Sequence, residues 1–275
     1  MKRRTTQPHE EVPAGDMDWV NVVMRSALCN PNTIRTTYGL TRRVIEDRVP
    51  GDLVECGVFA GSQSAVMAHV CAGFGAMDRR IHMFDSYEGI PHAGPRDTNN
   101  IDGRIFSYGK DGALTTTGIA SCSLEQVIRN MEVWHIPARL LAYYKGWFQN
   151  TVPAAREGLV ETGIAILRLD GDLYDSTKVC MENLFPLLNP GGYLIIDDWA
   201  LQGCREAVQE VIEKEWDFNE WHRFTTISDG GGPVWWQTPL ADGDKDEVVP
   251  DVPAARRDVS GDTLGSARPS EYGDV

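Results

Sequence analysis

The clearest pattern of apolar and polar positions lies in residues 164–199. Ile164–Leu169 is a short, mostly apolar run, which is typical of a strand buried on both faces. Ser176 is predicted to cap a helix, and Pro190 with the two glycines after it is predicted to end that helix. The apolar residues at helical spacing are Met181, Leu184, Phe185 and Leu188. Residues 193–196 form a second apolar run, so the segment predicts strand, helix, strand.

Acidic residues follow both strands of this unit. Asp170 comes directly after the first strand, and Asp197 and Asp198 come directly after the second. A strand–helix–strand unit is a right-handed crossover between parallel strands, so these carboxylates are expected at the sheet edge where open α/β sheets bind ligands. They repel one another unless a positive charge lies between them, which predicts a divalent cation such as Mg²⁺. The alternative is that the three acids cap loops and stay solvated.

A glycine-rich turn follows the first strand of the sheet, which is predicted over residues 52–58. The pattern is Glu55-x-Gly57-x-x-x-Gly61, and a helix is predicted from Ser62. Glycines at these positions let the chain turn tightly and let a ligand approach the backbone closely. Because the spacing is not GxGxxG, the fingerprint of dinucleotide-binding proteins is absent.

The next strand, IHMF, ends at Asp85. An acid at the end of a second strand is placed to bind the two hydroxyls of a ribose, and its alternative role is to cap a loop. Together with the glycine turn, Asp85 predicts a cofactor that contains a nucleoside. The sequence has no phosphate-binding GxxxxGK[ST] motif.

Two N-terminal helices are predicted, one over residues 16–28 and one around Leu40, and we expect them to cover the ligand edge of the sheet. Tyr38 is predicted to lie between them, where it either contacts the substrate or packs at their junction. Residues 86–117 are rich in Gly, Pro, Asn and Asp and predict a long irregular insertion. The other predicted elements are a helix over residues 123–134, a strand over 138–144, a ligand-edge loop over 145–153, a helix over 204–216 and an antiparallel hairpin of 223–227 and 234–237.

Composition and charge narrow the class of protein. The 275 residues carry a formal charge of −14, which argues against nucleic acid or an anionic membrane as the main partner. Six scattered cysteines without CxxC and an N-terminus without an apolar signal core predict a cytoplasmic protein with reduced thiols. We predict one α/β domain over residues 16–240, flanked by a mobile stretch, residues 1–15, and a disordered acidic tail, residues 241–275. Whether copies of the chain form a homo-oligomer stays open.

Four strings of sequence resemble one known family. They are VECGVFAGSQS, MFDSYEGIP, KGWFQNTVP and LRLDGDLYDST…GGYLIIDDW, and together they resemble the macrocin O-methyltransferase family, which modifies sugars of macrolides and other natural products. The resemblance implies a class I S-adenosylmethionine-dependent methyltransferase fold: a Rossmann-like, mostly parallel sheet with helices on both faces and a C-terminal antiparallel hairpin. The chain departs from the family at Asn150, where Asp is expected. The N-terminal helices and residues 96–111 also match less well.

The resemblance also implies which residues form the site. The glycine turn and the second-strand acid hold S-adenosylmethionine, and Asp170, Asp197 and Asp198 hold Mg²⁺. The predicted cofactor-binding residues are Glu55, Gly57, Val58, Phe59, Gly61, Ser62, Asp85, Ser86, Ser123, Gly146 and Trp147. The predicted acceptor is a sugar hydroxyl, on a deoxysugar of a glycosylated natural product or on a sugar nucleotide.

Methyl transfer to a sugar hydroxyl requires activation of that hydroxyl, because its pKa is far above neutral and it is a poor nucleophile. A bound metal lowers that pKa and orients the hydroxyl, and a nearby carboxylate takes the proton. Asp170 is the first candidate for this base and Asp172 the second. Two alternatives remain at this point: a nicotinamide-dependent oxidoreductase, which the missing GxGxxG disfavours, and a non-catalytic cofactor-binding module.

Overall fold

The computed structural model describes residues 6–97, 112–215, 224–227 and 232–239. Its strands are β1 (Asp52–Cys56), β2 (Ile81–Asp85), β3 (Leu141–Lys145), β4 (Ile164–Leu169), β5 (Leu188–Ile196), β6 (Thr225–Thr226) and β7 (Val234–Gln237). They form one sheet in the order β3-β2-β1-β4-β5-β7-β6. The first five strands pair in parallel, and β7 runs antiparallel to both β5 and β6. The predicted parallel sheet with a C-terminal antiparallel hairpin is confirmed.

Helices cover both faces of this sheet. They are α1 (Ala14–Met24), α2 (Pro31–Glu46), α3 (Ser62–Gly73), α4 (Leu124–Val133), α5 (Phe148–Thr162), α6 (Tyr174–Leu184) and α7 (Gln202–Glu215). One apolar core packs helices α1, α2, α3 and α4 against one face of the sheet. A second core packs helices α5, α6 and α7 against the other face. Among the described helices, none combines the length and apolar character needed to cross a membrane.

The central strands are buried along their whole length. Every residue of β1 and of β4 is buried, as expected for parallel strands covered on both faces. Most of these residues are aliphatic, but Arg168 lies within β4 and its side chain is completely buried. A charged group in this position requires partners, and they lie at the carboxyl end of the sheet.

Several predicted boundaries are wrong. Helix α6 begins at Tyr174, so Ser176 lies inside it and does not cap it. The cap comes from far away in sequence, because the carboxylate of Asp97 accepts the Tyr174 backbone N–H at 2.8 Å. Leu188 was predicted in this helix but begins β5, where it pairs with Ile164.

The loop predicted over residues 145–153 is also mostly helical. Lys145 ends β3 and α5 begins at Phe148, so only two residues connect them. Pro153 lies inside α5, where it lacks one backbone donor, but the helix continues for nine more residues to Thr162.

Part of the N-terminal segment, between Pro8 and Val12, packs against the fold. Pro8–Glu10 form a 3₁₀ turn, and Pro8 and Val12 are buried. Glu11 forms an ion pair with Arg43 of α2 at 2.7 Å, and both side chains are less than 10% exposed. The polar composition of residues 1–15 gave no indication that Glu11 forms a buried ion pair. The predicted acidic tail, residues 241–275, lies outside the described residues. So do Trp216, the predicted end of the last helix, and Arg223, the predicted start of the hairpin.

Candidate active site

A cavity of about 270 Å³ opens at the carboxyl edge of the parallel strands. The loops after all five parallel strands contribute to its wall, together with the α1–α2 connection and the segment before α4. The lining residues are Leu28, Gly57, Phe59, Asp85, Ser86, Gly89, Ile90, Pro91, Ile119, Ala120, Trp147, Phe148, Gln149, Asp170, Gly171, Asp172, Ser176, Asp197 and Asp198. The cavity therefore lies at the sheet edge that the sequence predicted for ligand binding.

The three predicted metal ligands converge on one side of this cavity. Strands β4 and β5 are parallel neighbours in which Leu169 pairs with Ile196, so the acids that follow them come level. One carboxylate oxygen from each of Asp170, Asp197 and Asp198 lies within 4.8 Å of the others. All three residues are half-buried. Their convergence confirms the prediction that the ends of these two strands bring the acids together.

A positive charge that the sequence pattern did not predict lies beside these acids. The guanidinium of Arg168 contacts Asp170 Oδ2 through Nη1 at 2.8 Å and Asp197 Oδ1 through Nη2 at 2.5 Å. The mostly apolar run Ile164–Leu169 by itself predicts only a buried strand. An arginine inside an otherwise aliphatic buried run was the available signal, because such a residue must find acidic partners.

The donor set fits a hard divalent cation. Arg168 occupies one oxygen of Asp170 and one of Asp197, and the Asp172 backbone N–H donates to Asp198 Oδ2 at 2.8 Å. Within the described part of the chain, the recorded donors leave the second oxygen of Asp170 and of Asp197 to a ligand, while the Asp172 side chain also contacts Asp198. Carboxylate oxygens are what Mg²⁺ takes.

Burial also raises the pKa values of acids at this edge of the sheet. It raises the pKa of Asp197 to about 7, helped by the negative charge of Asp170 and opposed by Arg168. It raises the pKa of Asp172 to about 7 as well, with Asp170 again adding to the shift. The pKa of Asp198 rises well above its ordinary value for the same reason. Bringing these carboxylates together is costly, and an added cation would favour their charged forms.

Gly57 is required by close packing against the strand beside it. Its φ is +92°, and a Cβ at this position would lie 1.7 Å from the backbone oxygen of Asp170. A larger residue would therefore displace the loop that carries Asp170. The glycine turn and the acidic cluster are in direct backbone contact.

Asp85 braces the same turn from the neighbouring strand. Its Oδ2 accepts the backbone N–H groups of Val58 at 2.7 Å and Phe59 at 3.1 Å, and its Oδ1 accepts that of Tyr87 at 2.6 Å. The side chain also lines the cavity. The loop-cap alternative from the sequence is therefore realised, while contact with a ribose stays a prediction.

The other predicted cofactor-binding residues divide into two groups. Phe59, Ser86 and Trp147 line the cavity together with Gly57 and Asp85. The remaining six lie outside its wall, and most make structural contacts that hold the loops. Those six are Glu55, Val58, Gly61, Ser62, Ser123 and Gly146.

The contacts of this second group show what they do. Glu55 is buried and accepts a hydrogen bond from the Ser64 hydroxyl. Ser62 Oγ donates to the Val23 carbonyl at 3.1 Å, which ties α3 to α1. Gly61 and Ser123 are the N-cap residues of α3 and α4, and Gly146 N–H donates to the Asp85 carbonyl at 2.9 Å.

Tyr38 does not lie where a substrate contact requires. It is inside α2 rather than between two helices, and its side chain is 1% exposed. Its hydroxyl donates to the carboxylate of Asp16 in α1. The structure places Tyr38 in helix packing, which was the alternative interpretation, and places Leu28 of the α1–α2 connection in the cavity wall instead.

The apolar part of the wall could not be found from periodicity. It includes Leu28, Ile90, Pro91, Ile119, Ala120 and Phe148. Most of these residues lie in irregular connections, where neither the helical nor the strand period marks a buried face. The string DSYEGIP was the one available signal, since it ends in Ile90 and Pro91.

The macrocin O-methyltransferase family model matches residues 10–220 of the chain. The chain belongs to this family. It is 39% identical over 189 residues to 8-demethyl-8-(2,3-dimethoxy-α-L-rhamnosyl)-tetracenomycin-C 4′-O-methyltransferase of Streptomyces olivaceus, covering 66% of this chain and 68% of that one. It is 34% identical over 195 residues to demethyldecarbamoylnovobiocin O-methyltransferase of Streptomyces niveus, covering 70% of this chain and 68% of that one.

Solved structures agree with the family assignment. The O-methyltransferase NovP superimposes with a TM-score of 0.64 and 29% identity over 78% of this chain and 82% of its own. The calicheamicin methyltransferase CalS11 superimposes with a TM-score of 0.57 and 17% identity over 86% of this chain and 98% of its own, which supports the fold alone. The predicted methyltransferase fold and the O-methyltransferase class are confirmed, in preference to an oxidoreductase or a non-catalytic module.

Proposed function

We propose that this macrocin-family O-methyltransferase transfers a methyl group from S-adenosylmethionine to a sugar hydroxyl, with a divalent cation at Asp170, Asp197 and Asp198. The observation that carries the proposal is the convergence of these three acids in a cavity that the glycine turn also lines. The names of relatives support a sugar acceptor. One of them is named as a methyltransferase of a rhamnosyl tetracenomycin.

The cofactor belongs on the side of the cavity formed by the first two strands. Gly57 and Phe59 expose the backbone of the turn there, and Asp85, Ser86 and Trp147 complete the wall. Asp85 is already held by three backbone N–H groups, so its carboxylate is fixed in place. S-adenosylmethionine supplies an electrophilic methyl group on sulfonium sulfur.

The acidic side of the cavity activates the acceptor. Asp170, Asp197 and Asp198 would hold the cation, which would supply Lewis acidity that lowers the pKa of an acceptor hydroxyl. Asp172, which lines the cavity, takes the hydroxyl proton in this proposal, because Asp170 already accepts a hydrogen bond from Arg168 and belongs to the proposed cation site. As the acceptor oxygen bonds to the methyl carbon, the carbon–sulfur bond breaks, and its electron pair stays on sulfur.

The decisive experiment measures methyl transfer from labelled S-adenosylmethionine to a panel of sugar nucleotides and finished glycosides, with Mg²⁺ and with EDTA. We expect transfer in Mg²⁺ and loss of turnover in EDTA, while calorimetry shows cofactor binding unchanged. Asp197→Asn should need more Mg²⁺ for the same rate. Full turnover in excess EDTA, with Asp170→Asn still active, would refute the metal-assisted mechanism and leave the acids as loop caps.

A further inference from the structure

We propose that Arg168 is a positioning residue that holds Asp170 and Asp197 in the orientation needed to bind the cation. This inference rests on the proposed function, since it concerns the same acidic cluster. It is drawn from the direction of the contacts: the guanidinium approaches from inside the sheet and takes one oxygen of each acid. The second oxygen of each acid is then left to a ligand in the cavity that both residues line.

The guanidinium is itself fixed from behind. Glu55 Oε1 lies 3.4 Å from Arg168 Nη1, and Glu55 accepts a hydrogen bond from the hydroxyl of Ser64 in α3. The Arg168 side chain is 0% exposed and that of Glu55 is 1% exposed. A chain of contacts thus runs from α3 through two buried ionisable side chains, Glu55 and Arg168, to the two acids at the sheet edge.

Stability does not account for this arrangement. An arginine side chain in the interior loses its hydration, and replacing a buried ion pair by packed apolar residues is often neutral or stabilising. An aliphatic residue would also suit β4, whose other five residues are Ile, Ala, Ile, Leu and Leu. The arginine is therefore better explained by what it does for the acids it contacts.

The shape of the guanidinium matters as much as its charge. Its planar fork presents donors in fixed directions, so two carboxylates can be held at once with a set spacing. A lysine ammonium is a compact charge that keeps the sign but lacks this fork. The charge alone would act against a cation, because like charges repel, whereas the fork favours cation binding by arranging its ligands.

Arg168→Lys separates these two effects. We expect its Mn²⁺ affinity, measured from the electron paramagnetic resonance signal of free Mn²⁺, to fall by roughly tenfold or more, which is the range for losing a partner of metal ligands. Cofactor affinity measured by calorimetry should stay within about twofold, since Arg168 does not line the cavity. The matched control is Arg43→Lys, which alters another buried arginine pair, with Glu11, away from the cavity wall and should leave Mn²⁺ affinity unchanged.

Arg168→Met tests the charge by itself. Tighter Mn²⁺ binding in this variant would show that Arg168 acts only as a repelling charge and would overturn the proposal. If the methionine variant does not fold, the lysine variant still decides: a folded Arg168→Lys protein that binds Mn²⁺ as the wild type does would overturn it equally.

The wild-type protein separates the two proposals. Mn²⁺ binding without methyl transfer to any sugar acceptor would refute the proposed function, yet a weakened Arg168→Lys variant would still support the positioning role. Absence of Mn²⁺ binding in the wild type would overturn both.

Discussion

Asp85 shows how one side chain can serve both the fold and the site. Its two oxygens accept three backbone N–H groups, two from the glycine turn and one from its own loop, and the same carboxylate forms part of the cavity wall. Burial raises its pKa, and these backbone donors oppose the shift. The sequence shows an acid at the end of this strand and so predicts a role for it at the ligand edge. Its three backbone donors are apparent only in the structure, where two loops meet.

Asp85→Ala should therefore weaken cofactor binding by about 1–3 kcal/mol, because the turn loses its acceptor along with a polar wall residue. Calorimetry with S-adenosylmethionine measures this directly. Glu88→Ala is the control, since Glu88 is an exposed acid on the same loop that does not line the cavity. Unchanged affinity in Asp85→Ala would remove Asp85 from the cofactor site.

Asp52 is a second informative acid, at the opposite end of β1. Burial raises its pKa, but the His82 ring at 3.1 Å and the Arg80 N–H at 2.8 Å more than offset this, and the net shift is downward. A lowered folded-state pKa contributes stability above the unfolded pKa of about 4, and that contribution disappears as pH falls through the folded-state value.

Asp52→Asn should accordingly lower the free energy of unfolding by about 1–2 kcal/mol at pH 7. The difference from the wild type should shrink as the pH falls from about 4 toward 3. Urea unfolding at a series of pH values provides the measurement. A difference that stays constant down to pH 3 would show that shape, rather than charge, explains the effect.

At the scale of elements, the strands were predictable and their partners were not. The apolar runs of β1, β4 and β5 identified the sheet core, because strands buried on both faces need apolar residues throughout. The start of α6 was missed because its cap is Asp97, 77 residues before Tyr174. The role of Arg168 was missed for the same reason: its acidic partners include Glu55, which is distant in sequence and adjacent in the sheet.

The contact between the β1 turn and the loop after β4 gives a prediction at this scale. In Gly57→Ala the new methyl group would lie 1.7 Å from the Asp170 carbonyl oxygen, so one of the two loops must move. We expect a lower melting temperature and weaker binding of both S-adenosylmethionine and Mn²⁺. Binding assays and thermal unfolding on one preparation measure all three.

Gly75→Ala is the matched control for this substitution. Gly75 also has a positive φ, +74°, but a Cβ there would meet nothing within 4 Å. It therefore reports backbone strain alone, which costs about 1–2 kcal/mol for a residue with a side chain. If Gly57→Ala behaves like Gly75→Ala, the contact with Asp170 has no functional consequence.

At the scale of the molecule, topology assembles the site from distant parts of the chain. The lining residues run from Leu28 to Asp198, and the sheet order brings the loops after β1, β2, β4 and β5 together at one edge. The antiparallel strand β7 closes the other side of β5, and Thr238 completes it with bonds to Gly192 O at 2.9 Å and Asn189 O at 2.7 Å. Within the described ranges, no lining residue comes after this closing strand.

The acidic tail should therefore be dispensable. Residues 241–275 hold nine acidic and four basic residues, a charge of −5, and show no apolar periodicity. Truncation after Leu240 keeps β7 and should leave the melting temperature, the acceptor KM and kcat near the wild-type values. Truncation after Ile227 is the contrasting variant: it removes β7 and its buried Trp236, exposes the edge of β5, and should lower the melting temperature sharply. A loss of turnover or stability in the shorter deletion would mean that the tail contributes directly to the catalytic domain, and the boundary predicted at residue 240 would then be wrong.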